Sequence, residues 1–249
     1  MSGAALLEVQ GLRRSFGDRA IIHEVSFRVR YGDILFVKGA SGVGKSLLLR
    51  ALAHLDPIQG GKTLLNGVPP EQLGVPKWRT QVTYVPQARV QPKGTPSEFY
   101  FTAQQFAAQR GRPRGDLPAL IHELGLEQGV LNQPWTELSG GQSQRVILAI
   151  CVALKPSVLL LDEPTSALDH ESALRAERVL KACGAALIWV THDDAQPERV
   201  GGRIITLPLG TMTEIEAVRS TGPPALENPA HGAAPDGPLV GALTEVVVQ

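Results

Sequence analysis

The sequence predicts a mixed α/β fold, a P-loop core with an antiparallel β-subdomain and an inserted α-helical subdomain. Three observations carry this expectation. Gly39–Ser46 has the spacing of a phosphate-binding loop between a predicted strand and a predicted helix. The apolar run Val158–Leu161 ends on the acidic pair Asp162-Glu163, and the strand pattern is absent from about residue 88 until Val158.

Composition sets the outer bounds. A chain of 249 residues, 43% hydrophobic and 19% charged, can bury a sizeable core. Its 24 basic and 24 acidic side chains cancel, which argues against binding nucleic acid through bulk charge. The best apolar runs, Val158–Leu161 and Ala185–Val190, fall far short of the roughly 20 residues a spanning helix needs. The first residues lack a basic region followed by a long apolar stretch, and Ser2 stands where N-myristoylation needs glycine. The expectation is a chain that neither crosses nor anchors in a bilayer by itself. Two cysteines, Cys151 and Cys183, cannot make a disulfide scaffold and fit a reducing compartment. The six histidines are dispersed without zinc spacing.

Along the chain, residues 6–38 alternate apolar and polar positions between turn signals and read as strands. Ser46–Leu55 is rich in Leu and Ala, follows a glycine-rich turn, stops before Asp56-Pro57 and reads as a helix. Thr63-Leu64-Leu65 before Asn66-Gly67 predicts a short hairpin, and Val82–Val85 a strand. Ser97–Gln109 and Leu117–Leu124 carry helical periodicity on either side of Arg110–Gly115, which places a helical subdomain at about residues 88–140. The core resumes with helix Gly141–Leu154, strand Val158–Leu161, helix Glu171–Ala182, strand Ala186–Val190 and a last strand near Arg203–Leu207. Residues 211–249, polar and interrupted by Pro223-Pro224 and Pro235, read as a flexible tail, with Val246–Val248 able to pair against a sheet edge.

In Gly39-Ala40-Ser41-Gly42-Val43-Gly44-Lys45-Ser46, the glycines let successive backbone N–H groups wrap a phosphate while the following helix adds its dipole. Lys45 would reach the β- and γ-phosphates, and the Ser46 hydroxyl would ligate Mg²⁺. Asp162, at the C-terminal end of a central strand, would hold Mg²⁺, and Glu163 would polarise the attacking water. An Asn-Lys-x-Asp guanine-reading motif is missing, which favours ATP over GTP.

Leu138-Ser139-Gly140-Gly141-Gln142, just before a predicted helix, stands in the right order after the phosphate loop and before the Asp-Glu strand. On these motifs the chain resembles the ATP-binding cassette (ABC) superfamily of P-loop NTPases over about residues 6–210. Gln87 in Tyr84-Val85-Pro86-Gln87 resembles the Q-loop, Ser166–Asp169 the D-loop, and His192 in Val190-Thr191-His192-Asp193 the switch histidine. Phe16 resembles the aromatic residue that stacks on adenine.

The resemblance implies an ATPase with ATP and Mg²⁺ as cofactors, and a head-to-tail pair of subunits sandwiching two ATP, C2-symmetric as a homodimer. One chain would give Lys45, Ser46, Gln87, Asp162, Glu163 and His192, with Ser46, Gln87 and Asp162 on the metal. The other would give the signature segment Ser139, Gly140, Gly141 and Gln142. Such a subunit works with an integral membrane permease on a separate chain, at the cytoplasmic side of a membrane and peripheral to it, and no nucleic acid is expected. A groove beside Gln87 would receive a helix of that partner; Trp78, Phe99, Tyr100 and Phe101 flank it, as contacts or as ordinary core. The alternative is a soluble ABC ATPase acting on DNA or ribosomes, against which stand the compact stretch from Ser46 to Leu138, the single signature and the neutral charge. Pro76–Gln87 and Ile188–Asp193 are similar to ATPase subunits of bacterial iron-export pairs, which implies metal export. One departure is Ala149-Ile150-Cys151, apolar where the family usually carries an arginine; tighter packing is expected there.

Overall fold

The computed structural model describes residues 5–16, 19–87, 92–208 and 211–214. Strands β1 (Leu7–Phe16), β2 (Arg19–Val29) and β4 (Gly60–Leu65) form an antiparallel sheet of order β2-β1-β4. Leu7 pairs with Val29 and Val9 with Phe27, so alternate residues point to one buried face. The second sheet runs β5-β6-β7-β3-β8-β9, built from β3 (Ile34–Lys38), β5 (Val82–Val85), β6 (Val158–Asp162), β7 (Ala186–Val190), β8 (Arg203–Thr206) and β9 (Thr211–Glu214). Its first five strands are parallel, and β9 closes the edge antiparallel to β8.

The helices are α1 (Lys45–Leu52), α2 (Pro70–Leu73), α3 (Val75–Gln81), α4 (Pro96–Gln105), α5 (Leu117–Glu123), α6 (Gly140–Ala153), α7 (His170–Ala182) and α8 (Gln196–Val200). Between β5 and α6 the described residues contain no strand, only α4, α5 and the 3-10 segments Gln128–Asn132 and Trp135–Glu137. No helix among the described residues is long and apolar enough to cross a membrane.

Strand residues divide by parity between two cores. Phe36, Leu159, Leu161, Leu187 and Trp189 face α6, α7 and the helical segment. Leu35, Val37, Leu160, Ile188 and Val190 face α1 and the antiparallel sheet. A sheet covered on both faces needs strands apolar at every position, which is why β6 and β7 are buried throughout and read as continuous apolar runs. Ala149, Ile150 and Cys151 lie in the first core, and burial pushes the Cys151 thiol up to about 12, so it packs as a small apolar group.

Several expectations need revision. Helix α1 ends at Leu52, three residues short of Leu55, because His54 takes a left-handed backbone with φ 53°. The strand β9 occupies 211–214, where the sequence suggests tail, and its pairing carries the described fold past residue 210; residues 215–249, including Val246–Val248, lie outside the described residues. Trp78 is core: it is fully buried, and its indole donates to the Leu52 carbonyl at 2.8 Å. Of the other aromatics proposed to flank the groove, Phe99 packs edge-on to Trp135 and Phe101 is exposed.

Candidate functional site

The C-terminal ends of β3, β5, β6 and β7 carry, in turn, the loop Gly39–Gly44, Gln87, Asp162-Glu163 and Thr191-His192. In a parallel sheet these ends share one edge, the place where such folds bind ligands. Four other helices begin with a side-chain cap: Thr95 with Glu98 on α4, Asp116 on α5, Ser139 with Gln142 on α6, and Asp169 on α7. Helix α1 does not. Its N-cap is Gly44 at φ 105°, no side chain bonds its first turn, and no acidic residue lies there. Its end N–H groups and positive dipole are therefore left for an anion.

The loop's backbone explains its glycines. A Cβ on Gly44 would come within 2.5 Å of Ile21 Cγ2, and one on Gly39 within 2.9 Å of the Leu207 carbonyl oxygen. Ala40, Ser41 and Gly42 are exposed, Val43 is half-buried and packs on the second core, and Ser46 opens outward from α1. Lys45 is buried, its ammonium donating to the carbonyls of Gly39 (2.9 Å) and Ala40 (3.1 Å). The loop thus holds a cation inside its own curve.

The acidic pair splits into two environments. Asp162, the last residue of β6, is 3% exposed; its Oδ2 accepts from the Tyr84 hydroxyl at 2.9 Å, while Oδ1 is buried with no partner. Burial first, then the charge of Asp162, pushes the Tyr84 hydroxyl up, so it stays a donor. An orphaned buried carboxylate oxygen on Asp162, with the exposed Ser46 hydroxyl on α1 as a further oxygen donor, fits a hydrated divalent cation, since Mg²⁺ characteristically takes one or two protein oxygens and completes its shell with water and phosphate.

Glu163 leaves the strand in a left-handed conformation, φ 50°, with its N–H donating to the Val190 carbonyl at 3.0 Å. A non-glycine residue there costs energy that the surroundings must supply. The turn aims its carboxylate between two neighbours: Gln87 Nε2 donates to Oε2 at 2.8 Å, and His192 Nε2 lies 2.9 Å from Oε1. Gln87, Glu163 and His192 are thus brought into direct contact although 76 residues separate the first two.

Ser139–Gln142 is a separate element at the start of α6. Ser139 Oγ accepts from the Gln142 N–H, and Gln142 Oε1 accepts from the Ser139 N–H, a reciprocal capping box. Ser139 and Gly140 are exposed, a Cβ on Gly140 would meet open space, and Gly141 adjoins Leu168. Phe16 ends β1 with its backbone paired to Arg19.

Two groups at this edge escape a reading of the sequence. Tyr84 stands in the sequence only as part of the strand that leads to Gln87, and Glu177 only within the expected helix Glu171–Ala182. Glu177 is 3% exposed and pairs with Arg199, which in turn reaches Asp193, next to His192. A buried carboxylate on an otherwise amphipathic helix could be suspected from Glu177 standing one residue past Ala176 on the apolar stripe.

A family model described as ABC transporter matches residues 22–166. The chain is 32% identical over 218 residues to the spermidine/putrescine import ATP-binding protein PotA of Pasteurella multocida, covering 84% of this chain and 57% of that one. It is 32% identical over 228 residues to the Fe(3+) ions import ATP-binding protein FbpC of Haemophilus influenzae, covering 86% and 63%. The chain therefore spans only about three-fifths of the length of these two relatives. A solved ATP-binding subunit of an ABC transporter superposes with a TM-score of 0.74 at 26% identity, over 85% of this chain and 90% of that one. With the family model spanning more than half its length, the chain belongs to the ABC transporter family.

Proposed function

We propose that this chain binds and hydrolyses ATP at the edge formed by residues 39–46, 87, 162–163 and 192, and that two copies sandwich two ATP to drive transport through a separate membrane subunit. The observation that carries this reading is the contact of Glu163 with both Gln87 and His192. It puts a carboxylate, an amide and an imidazole together beside an uncapped helix N-terminus holding a buried lysine.

In the mechanism, the loop N–H groups and the α1 dipole bind the phosphates, and Lys45 trades its loop carbonyls for phosphate oxygens. Ser46, Asp162 and Gln87 would hold Mg²⁺, which would neutralise charge on the phosphates. Phe16 stacks on adenine. Glu163 accepts a proton from the water attacking the γ-phosphorus, and His192 orients that water and the phosphate. Gln87 carries the state of this site toward the helical segment. Ser139, Gly140 and Gly141 of the second copy close the site from outside; the exposure of Ser139 and Gly140 and the dipole of α6 suit an anion presented across an interface. A homodimer of this kind is two-fold symmetric.

To the membrane partner we assign an apolar groove between the α3–β5 segment and the helical segment, lined by Leu55, Pro76, Thr80, Thr83, Phe106 and Leu154; Gln87, Trp78, Phe99, Tyr100 and Phe101, expected beside it, do not line it. Binding there puts the chain at the cytoplasmic side of a membrane, peripheral to it. For cargo and direction, the similarity of residues 76–87 and 188–193 to iron-export pairs supports metal export, although the two relatives quoted above are named for import. Inside-out vesicles carrying the chain and its permease accumulate iron on adding ATP if this is so; accumulation only in right-side-out vesicles contradicts it.

The transporter reading is tested by purifying the full chain from detergent-solubilised membranes of its own cells. An integral membrane protein should co-purify and alter its ATPase rate. Recovery of ribosomes or DNA-repair factors with no membrane protein overturns it in favour of a soluble ABC ATPase.

A further inference from the structure

A continuous run of side chains joins the two loops that carry Glu163 and His192. Gln196 Nε2 donates to Thr165 Oγ1 at 3.1 Å and to Glu177 Oε1 at 2.8 Å. Arg199 grips the same carboxylate with two bonds, Nε to Oε2 at 2.9 Å and a terminal nitrogen to Oε1 at 2.7 Å, and donates to Asp193 Oδ2 at 2.9 Å. Thr165 lies two residues past Glu163, and Asp193 is the residue after His192. Glu177, on α7, sits at the centre of the run.

Burial decides what this arrangement does. Glu177 and Gln196 are 3% and 1% exposed. A buried ion pair is no better for stability than apolar residues of the same shape, because desolvation offsets the attraction. What a forked Arg–carboxylate pair adds is fixed geometry. The Glu177 and Asp193 carboxylates together hold the Arg199 guanidinium well above its ordinary range, so the arginine stays charged. A second pair on the same loop, Lys38 with Asp194 at 2.7 Å, leaves the Asp194 side chain 97% exposed, where solvent screening makes it a weak anchor.

We propose that Glu177, acting through Arg199 and Gln196, is a positioning residue that sets His192 against Glu163 by tying both loops to α7, and so governs turnover rather than nucleotide binding. This rests on the reading of Glu163 and His192 as the hydrolytic pair.

The test uses the purified full chain with Asp193→Asn, Glu177→Gln, Asp194→Asn and His192→Ala. Asp193→Asn keeps the Oδ1 acceptor for the Ala195 N–H and replaces the oxygen that accepts from Arg199 by an NH2 donor, which breaks that bond while the buried Glu177–Arg199 pair remains. Its kcat should fall on the order of 10- to 100-fold, the scale of a small misplacement, with KM for ATP unchanged. The imidazole proton line of His192 in the NMR spectrum, identified by its loss in His192→Ala, should move. Glu177→Gln should repeat both effects with a lowered Tm, and Asp194→Asn should show neither. Native kcat with an unmoved line in Asp193→Asn overturns the proposal, as does a raised KM at native kcat. Native kcat in His192→Ala overturns the hydrolytic reading itself, so the two failures are distinct.

Discussion

The Tyr84 hydroxyl donates to Asp162 Oδ2 at 2.9 Å, so that a residue of β5 pins one oxygen of the carboxylate that ends β6 and leaves the other, Oδ1, unpartnered. Tyr84→Phe keeps the ring packing and removes the donor. Leaving a buried carboxylate oxygen unsatisfied costs about 1–3 kcal/mol. Urea unfolding of this variant should show a lower midpoint with an unchanged slope, and a native midpoint would contradict the bond's role.

Gly44→Ala combines two penalties: a left-handed φ of 105° and a Cβ pressed to 2.5 Å from Ile21 Cγ2. The backbone term alone is about 1–2 kcal/mol for an L-residue. The loop must shift to relieve the contact, so ATP affinity should fall sharply while far-UV circular dichroism stays native. Equilibrium binding of a fluorescent ATP analogue measures it.

Asp56 follows α1, and Arg50 in the last turn of α1 clasps its carboxylate with two bonds of 2.9 Å. That hydrogen-bonded cation holds Asp56 below its ordinary value of 3.8. A carboxyl depressed on folding stabilises the native state above its unfolded pKa and loses that contribution as pH falls through the folded one. Asp56→Asn should therefore cost about 1–2 kcal/mol at pH 7, and the deficit should shrink in the acid range below 3.8. Thermal unfolding of both proteins across that range checks the sign.

Much of this architecture is legible in the sequence, and the legible parts share a cause. The loop Gly39–Ser46, the runs of β6 and β7 and the Ser139–Gln142 capping box are local patterns whose physics is complete within a few residues. Helices α2 and α3 are not, because Pro70 and Pro76 at their first turns read as turn signals, whereas proline is well tolerated there. Strand β9 is polar and exists through pairing with β8. At the site, the residue types were visible, but the contacts among Gln87, Glu163 and His192, the Tyr84–Asp162 bond and the Glu177 run join residues far apart in the chain. Only the strand order β5-β6-β7-β3 brings them to one edge.

Glu163→Gln tests the central claim most directly, since it keeps the size of the side chain and removes the proton acceptor. Light scattering of the purified chain with ATP and Mg²⁺, alongside steady-state phosphate release, reads both halves of the claim. The account predicts a stable dimer holding two ATP, with turnover lowered by about 10²-fold or more, the usual contribution of a general base. A monomer that hydrolyses ATP at the native rate would contradict it.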